Sequence, residues 1–305
     1  MLKIYPYNAG KGECIRLQFG SGTMHNIFFD TGVSRFGVRL KAICKDIVAN
    51  GERLDLLILT HVDDDHIGGI LHLLRTGWKS PFEEVRMNRY GTALLGNRTL
   101  SVRQNNEVFA RLEAQDVKIN SMLAGDRIDI EGATIETLHP TSMQDYANRR
   151  GNALLAYRRD YAKSLAELAD APIRLTDTSD NNKNSIVCTF SYDRQCFLFT
   201  GDAWAEDIVS CLPEVKCFDL IKLPHHGSVG NISEGFPSRI IASSYMVCTD
   251  GISHPDKQTI AKLVKWYGNI TIYSPSSWWT TGFFTKDDDK SKMQLVCGEM
   301  IPWLK

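Results

Sequence analysis

Residues 54–69 read Leu54-Asp55-Leu56-Leu57-Ile58-Leu59-Thr60-His61-Val62-Asp63-Asp64-Asp65-His66-Ile67-Gly68-Gly69. The first six are almost continuously apolar, the pattern of a strand covered on both faces rather than one with a wet side. Immediately after it, His61 to His66 places two imidazoles and three carboxylates within six positions. Carboxylates packed this closely repel one another, and a divalent cation relieves the repulsion while accepting imidazole nitrogens. The competing reading is a solvated acidic turn ahead of a helix, where carboxylates are favoured by the helix dipole.

Working outward, the N-terminal side reads as a β-meander. Strands are expected at Leu2 to Tyr5, Glu13 to Phe19 and Asn26 to Asp30, with Asn8 to Gly12 and Gly20 to Gly22 as breakers. Val38 to Ala49 has helical spacing through Leu40, Ile43, Ile47 and Val48, and Ile67 to Leu74 resumes a helical pattern after the acidic cluster. Further strands are expected at Glu84 to Met87, Arg127 to Ile130, Ala133 to Leu138, Ser185 to Tyr192, Cys196 to Thr200, Leu220 to Leu223, Ile240 to Val247 and Asn269 to Tyr273. Helices are expected at Leu100 to Ala114, Trp204 to Leu212 and Lys257 to Tyr267. Residues of about 141–183 interrupt this alternation and end rich in Asp and Asn. With no linker, repeat or low-complexity tract elsewhere, the 305 residues are expected to form a single domain carrying that insertion.

Composition narrows the class of protein. Thirty-five basic against 36 acidic residues leave no global electrostatic footprint for nucleic acid or an anionic membrane, so any basic face must be local. The start, Met-Leu-Lys-Ile-Tyr-Pro-Tyr, lacks a signal-peptide core, and no apolar run approaches the roughly 20 residues of a membrane span. A cytoplasmic protein without membrane contact is expected. The eight cysteines are dispersed with no C-x-x-C pair, which argues for reduced thiols and against a zinc ribbon or disulfide framework.

Three more apolar strands end in potential ligands: Thr137-Leu138-His139-Pro140, Phe199-Thr200-Gly201-Asp202-Ala203, and Lys222-Leu223-Pro224-His225-His226-Gly227-Ser228. Several strand ends converging on one edge is how α/β enzymes assemble a site. The order H-x-D-x-D-H, L-H-P, T-G-D, P-H-H-G-S over nearly the whole chain resembles the metallo-β-lactamase superfamily. More closely it resembles the hydrolase domain of ComEC-type bacterial DNA-uptake proteins and their stand-alone relatives. Asp63, standing where many members have a second histidine, is similar to that branch, as are Asn184-Ser185 and Ser253-His254-Pro255.

The resemblance implies an α/β fold, a four-layer αβ/βα sandwich with two mixed β-sheets face to face, helices on the outer faces and the metals at one edge. It implies that His61, Asp63 and His139 hold one metal, that Asp65, His66 and one of His225 and His226 hold the other, and that Asp202 bridges. His226 is the favoured ligand of the pair. Zinc or manganese is expected, with magnesium a further candidate because an oxygen ligand at Asp63 hardens the site. Asp64 matches a variable position and is expected to face solvent.

Two divalent ions about 3.5 to 4 Å apart lower the pKa of a shared water, which makes a hydroxide the expected nucleophile. Asp65 and Asp202 then belong to the catalytic centre, and His225, if not a ligand, donates to the oxyanion or leaving group or supports a ligand from behind. Gly227-Ser228 and Gly230-Asn231 offer donors for a phosphate or form a tight turn. His254 is expected to line or support the site, or simply to pack.

For substrate, the resemblance favours a phosphodiester in nucleic acid. Arg149, Arg150, Arg158 and Arg159, interleaved with Tyr146, Tyr157 and Tyr161, supply cationic and stacking groups; the alternative is an amphipathic helix packing Leu154, Leu155 and Leu165 inward. Trp278-Trp279 and Phe283-Phe284 read as core packing ahead of a stacking platform, and Lys286 to Lys292 as a solvated turn. Hydrolysis of a small phosphoester or lactone, and a catalytically silent metal-binding scaffold, are the alternatives to a nuclease.

Overall fold

The computed structural model describes residues 1–89, 100–143, 160–174 and 176–303. The opening meander forms β1 (Leu2–Pro6), β2 (Ile15–Phe19) and β3 (His25–Phe29), all antiparallel, and β4 (Arg53–Leu59), β5 (Glu84–Met87) and β6 (Lys118–Asn120) continue this sheet in parallel. The second sheet repeats the plan. Antiparallel β7 (Arg127–Ile130), β8 (Ala133–His139), β9 (Val187–Tyr192) and β10 (Gln195–Phe199) lead into parallel strands. A separate ribbon pairs β11 (Lys216–Cys217) with β13 (Ile240–Ile241), while β12 (Leu220–Lys222), β14 (Ser244–Met246), β15 (Ile270–Ser274) and β16 (Met293–Cys297) extend the second sheet. Finally β17 (Ile301–Trp303) returns to the first sheet beside β1.

The two sheets pack face to face. Ile4, Leu17, Phe29, Leu56 and Ile58 from the first meet Ile135, Phe190, Phe199, Leu220 and Met246 from the second in one buried cluster. Phe29 and Phe199 stack at 4.1 Å between ring centroids across the join. Strand β4 alternates within this plan: Leu56 and Ile58 face the second sheet, while Leu57 and Leu59 face outward into a helix-covered cluster. That double burial is why the sequence there shows no polar face.

Helices α1 (Gly37–Ala49), α2 (Asp64–Arg75) and α3 (Leu100–Glu113) cover the outer face of the first sheet through Leu40, Ile47, Ile70, Leu74 and Val108. Helices α4 (Leu165–Asp170) and α5 (Asp180–Lys183) fall in the stretch expected as an insertion, and α6 (Ala205–Ser210) and α7 (Lys257–Tyr267) cover the second sheet. The result is the four-layer αβ/βα sandwich expected from the sequence.

Some expectations are corrected. Ile240 to Val247 is not one strand, because β13 pairs with β11 whereas β14 pairs with β12 in the main sheet. The short strands β6, β11, β16 and β17 were not anticipated, since two to five residues at a sheet margin carry little alternation. Lys286 to Lys292 is more than a solvated turn: Asp288 is buried and pairs with the Lys257 ammonium at 2.6 Å. Trp278 and Phe283 lie in the second sheet's outer core, as the packing reading expected.

Candidate metal centre

Strands β4, β10 and β12 end at one edge, and each is followed there by candidate ligand side chains. From β4 come His61 and, through the start of α2, Asp63, Asp65 and His66; from β10 comes Asp202; from β12 come His225 and His226. Helix α2 is seated by backbone contacts at its first turn. Glu13 N–H donates to the Asp65 carbonyl at 3.0 Å, Thr31 N–H to the His66 carbonyl at 2.7 Å, and Gly69 N–H to the Gly32 carbonyl at 2.8 Å. Gly69 permits this approach, because a Cβ there would drive into the Thr31 carbonyl.

Asp202 Oδ2 is the convergence point. It lies 3.3 Å from His66 Nε2 and 3.8 Å from the Nε2 atoms of His61, His225 and His226. His226 Nε2 is also 3.8 Å from Asp65 Oδ2, and His61 Nε2 is 3.9 Å from Asp63 Oδ2. Two overlapping groups, His61 with His66 and Asp202, and Asp65 with His66 and His226, each hold their ligand atoms within 4.8 Å of one another.

Whether these residues suit a metal is decided by their other nitrogens. His66 Nδ1 donates to Asp30 Oδ2 at 2.7 Å, His226 Nδ1 donates to the Cys248 carbonyl at 2.7 Å, and His61 Nδ1 lies 3.1 Å from Thr60 Oγ1, itself donating to Asp30 at 2.7 Å. All three Nε2 atoms are buried and without a hydrogen-bond partner. Orienting each imidazole through Nδ1 and leaving Nε2 bare is the arrangement metal-binding histidines adopt, and unpaired buried nitrogens are otherwise costly. The residues fit divalent metal.

The electrostatics agree. Burial, with the neighbouring His66 adding to it, lowers the pKa of His61; burial lowers that of His226 to about 3, so both rings are neutral donors. For His66 burial also favours the neutral ring, but Asp202 and Asp30 outweigh it and hold its pKa well above the ordinary imidazole value; a bound metal would take the place of that proton. Burial pushes the Asp202 carboxyl up, while His66, His226, Lys222 and His225 together hold it well below the usual carboxylate range. His225 differs from its neighbour. Burial opposes its charge, yet Asp202 and Asp177 raise its pKa to about 9. Its Nδ1 lies 3.0 Å from Asn231 Oδ1 and 3.4 Å from Asp177 Oδ2.

The remaining expected residues distribute unevenly. His139 stands outside both clusters and spends Nε2 on the Lys183 carbonyl at 2.7 Å, which leaves Nδ1 as its donor atom. Asp63 borders the centre, with Oδ1 accepting from Asn181 Nδ2 at 2.6 Å. Asp64 is partly buried under Ser34 and Gln104 rather than free in solvent. His254 lies beside His225, with ring centroids 5.0 Å apart. Residues 227–231 fold as a tight turn: Ser228 N–H donates to the His225 carbonyl at 2.9 Å, Asn231 N–H to the Ser228 carbonyl at 3.2 Å, Gly230 N–H to Ser228 Oγ at 3.2 Å, and Val229 N–H to Asp256 at 2.7 Å. Arg149, Arg150, Arg158, Arg159, Tyr146, Tyr157, Leu154 and Leu155 lie outside the described residues. Tyr161 packs against Phe283 and donates to the Pro255 carbonyl at 3.3 Å.

The sequence reading passed over Asp30, Glu13, Lys222, Asp177 and Asn181. Three of them carried a signal. Lys222 is a charge inside the apolar run Leu220 to Leu223, Glu13 lies just before the buried strand β2, and Asp30 follows β3 at the same edge as the candidate ligands. A charge on a buried strand needs a partner, which marks it for a network.

Residues 15–143 match the metallo-beta-lactamase superfamily. The chain has the metallo-β-lactamase fold. Members of that superfamily are characteristically metal-dependent hydrolases, in keeping with the bare imidazoles here. The chain is 22% identical over 262 residues to ComE operon protein 3 of Bacillus subtilis, a match covering 77% of this chain and 28% of that protein. It therefore spans little more than a quarter of that relative's length. Among solved structures it is similar to the metallo-beta-lactamase fold protein YhfI from Bacillus subtilis, at 11% identity, TM-score 0.44 and 98% coverage of each chain. It is also similar to a diphosphatase from the PhnP family, at 10% identity, TM-score 0.44, covering 100% of this chain and 98% of that one. Among the described residues no helix is long and apolar enough to cross a membrane.

Proposed function

We propose that the chain is a metal-dependent phosphodiesterase acting on nucleic acid, with a dinuclear centre. The observation carrying this reading is the convergence of three buried, unpartnered Nε2 atoms on one oxygen of Asp202. His61 and Asp63, with His139 through Nδ1, would hold one ion, Asp65, His66 and His226 would hold the other, and Asp202 would be shared between them. Zinc and manganese suit this mixed nitrogen and oxygen set, and magnesium competes at the oxygen-rich side. Bound there, two divalent ions supply Lewis acidity to an attacking water and to a phosphoryl oxygen.

The chain's own residues do the rest. Asp202 and Asp65 orient the attacking water. His225, held through Nδ1 by Asn231 and Asp177, presents Nε2 toward the centre and donates its proton to the leaving oxygen. His254, beside His225, lines the approach, and the Ser228 hydroxyl is a further contact for the substrate. Support for nucleic acid as substrate comes from the resemblance of the motif set to the ComEC-type branch, and Arg149 and Arg150 are proposed to contact its backbone.

The test is metal content of the purified protein together with cleavage of labelled single- and double-stranded DNA and RNA in manganese, magnesium or zinc. The Asp65→Ala/His66→Ala variant is the control. About two metals per chain and cleavage abolished in the control are expected. Two metals without cleavage of any nucleic acid would redirect the assignment to a small phosphoester or lactone, and no bound metal would overturn it.

A further inference from the structure

The Lys222 ammonium is a buried charge that the dinuclear reading leaves without a task. It lies on β12 and is 0% exposed, with Glu13, 1% exposed, beside it. Its Nζ is 2.6 Å from Glu13 Oε2, 2.7 Å from the Gly201 carbonyl and 3.4 Å from Asp202 Oδ1. The ammonium donates to two of these oxygens, the Gly201 carbonyl and Asp202 Oδ1, and Glu13 Oε2 is its ion-pair partner. Asp202 is thereby divided in two: Oδ1 faces Lys222, and Oδ2 faces the imidazoles of His61, His66, His225 and His226. Turning the carboxylate would break the contact with Lys222. Glu13 is itself anchored, since its N–H donates to the Asp65 carbonyl at 3.0 Å and its carbonyl accepts from Gly32 N–H at 2.7 Å. The loop that seats α2 therefore also holds Lys222.

We propose that Lys222, held by Glu13, is a positioning residue that makes Asp202 a one-oxygen bridge between two metal ions. The inference rests on the two-metal reading above. It is separable from a purely electrostatic role by sign. A cation this close to a metal site repels the metal, so a Lys222 acting by charge alone lowers metal affinity, and its removal tightens binding. A Lys222 that orients the bridge raises affinity for the second ion, and its removal weakens binding.

The experiment is cobalt(II) titration of the metal-free wild type, Lys222→Met, Glu13→Gln and Glu13→Leu/Lys222→Met, following visible absorption and bound cobalt per chain, with thermal melting as a check of folding. Wild type is expected to bind two ions. Lys222→Met weakens the second at least tenfold and alters the spectrum, whereas Glu13→Gln, which keeps an acceptor for Lys222, stays near wild type. The double variant leaves no unpaired buried charge, so it carries the test if Lys222→Met does not fold. Wild-type or tighter affinity with an unaltered spectrum in the folded Lys222 variants would overturn the positioning role alone. A wild type that binds fewer than two ions would overturn the two-metal reading and this inference with it.

Discussion

His225 and His226 are consecutive residues with opposite proposed tasks, and the backbone explains how both reach the centre. In an extended strand consecutive side chains point to opposite faces. Here both residues adopt left-handed backbone, φ 47° and 55°, and the tight turn brings both Nε2 atoms to 3.8 Å from Asp202 Oδ2. A non-glycine residue in that region costs about 1 kcal/mol or more, so the site geometry is maintained against local preference. The two histidines should separate on substitution. His226→Ala removes a ligand and is expected to lower metal content, as measured by elemental analysis. His225→Gln is expected to keep the metals and lower kcat by about 10²- to 10⁴-fold, the usual worth of a general acid, as measured by steady-state kinetics.

Elements carry the next set of constraints. Helix α2 supplies Asp65 and His66, and its distance from the Thr31 loop is set at Gly69. Gly69→Ala forces the helix away from that loop, with an expected loss of about 1–3 kcal/mol in urea unfolding and weaker metal binding at the same time. On the opposite sheet, α7 is tied to the 285–288 turn and to the start of α4. Lys257 Nζ meets Asp288 Oδ2 at 2.6 Å, and Leu165 N–H donates to Asp288 Oδ1 at 2.7 Å. Lys257→Met leaves this carboxylate buried without its cation, held only by the Leu165 and Thr285 N–H groups, and about 3 kcal/mol of destabilisation is expected at neutral pH.

The same aspartate gives a pH dependence whose sign is fixed. Burial pushes the Asp288 carboxyl up, but Lys257 and the backbone N–H groups of Leu165 and Thr285 outweigh burial and hold it below the ordinary carboxylate range. A carboxylate depressed in the folded state stabilises fully above its unfolded value, about 3.9, and loses that contribution as pH falls through the folded value. The stability difference between wild type and Asp288→Asn is therefore expected to be full at neutral pH and to shrink below about pH 4, as measured by denaturant titration across pH.

At the scale of the whole molecule, the centre lies where two sheets and their helices meet, so metal binding is coupled to folding. Ligands from β4, α2, β10 and β12 come together only in the folded chain. An ion that binds the folded state at a hundredfold excess over its Kd adds about 2.7 kcal/mol per site. Chelation should lower the melting temperature of wild type and leave that of Asp65→Ala/His66→Ala nearly unchanged, as measured by calorimetry with and without chelator. An equal response in both would show that the chelator acts elsewhere.

The fold and most of the side chains gathered at the candidate centre were legible in the sequence because both depend on local pattern. Double burial of β4 shows as a nearly continuous apolar run, strand ends are marked by Gly, Pro and Asp, and His61 to His66 condenses four candidate ligand side chains into six positions. What the order of residues did not contain is which nitrogen each histidine spends inside the protein. Only the packed structure places Asp30 behind His66, the Cys248 carbonyl behind His226 and the Lys183 carbonyl against His139. It likewise decides that Lys222 and Glu13, more than 200 positions apart in the chain, share one buried pair beneath Asp202. Sequence determined the elements and the chemistry of their ends, because propensity and periodicity are local; tertiary structure decided the partners, because a buried charge is satisfied by whatever the fold brings within reach.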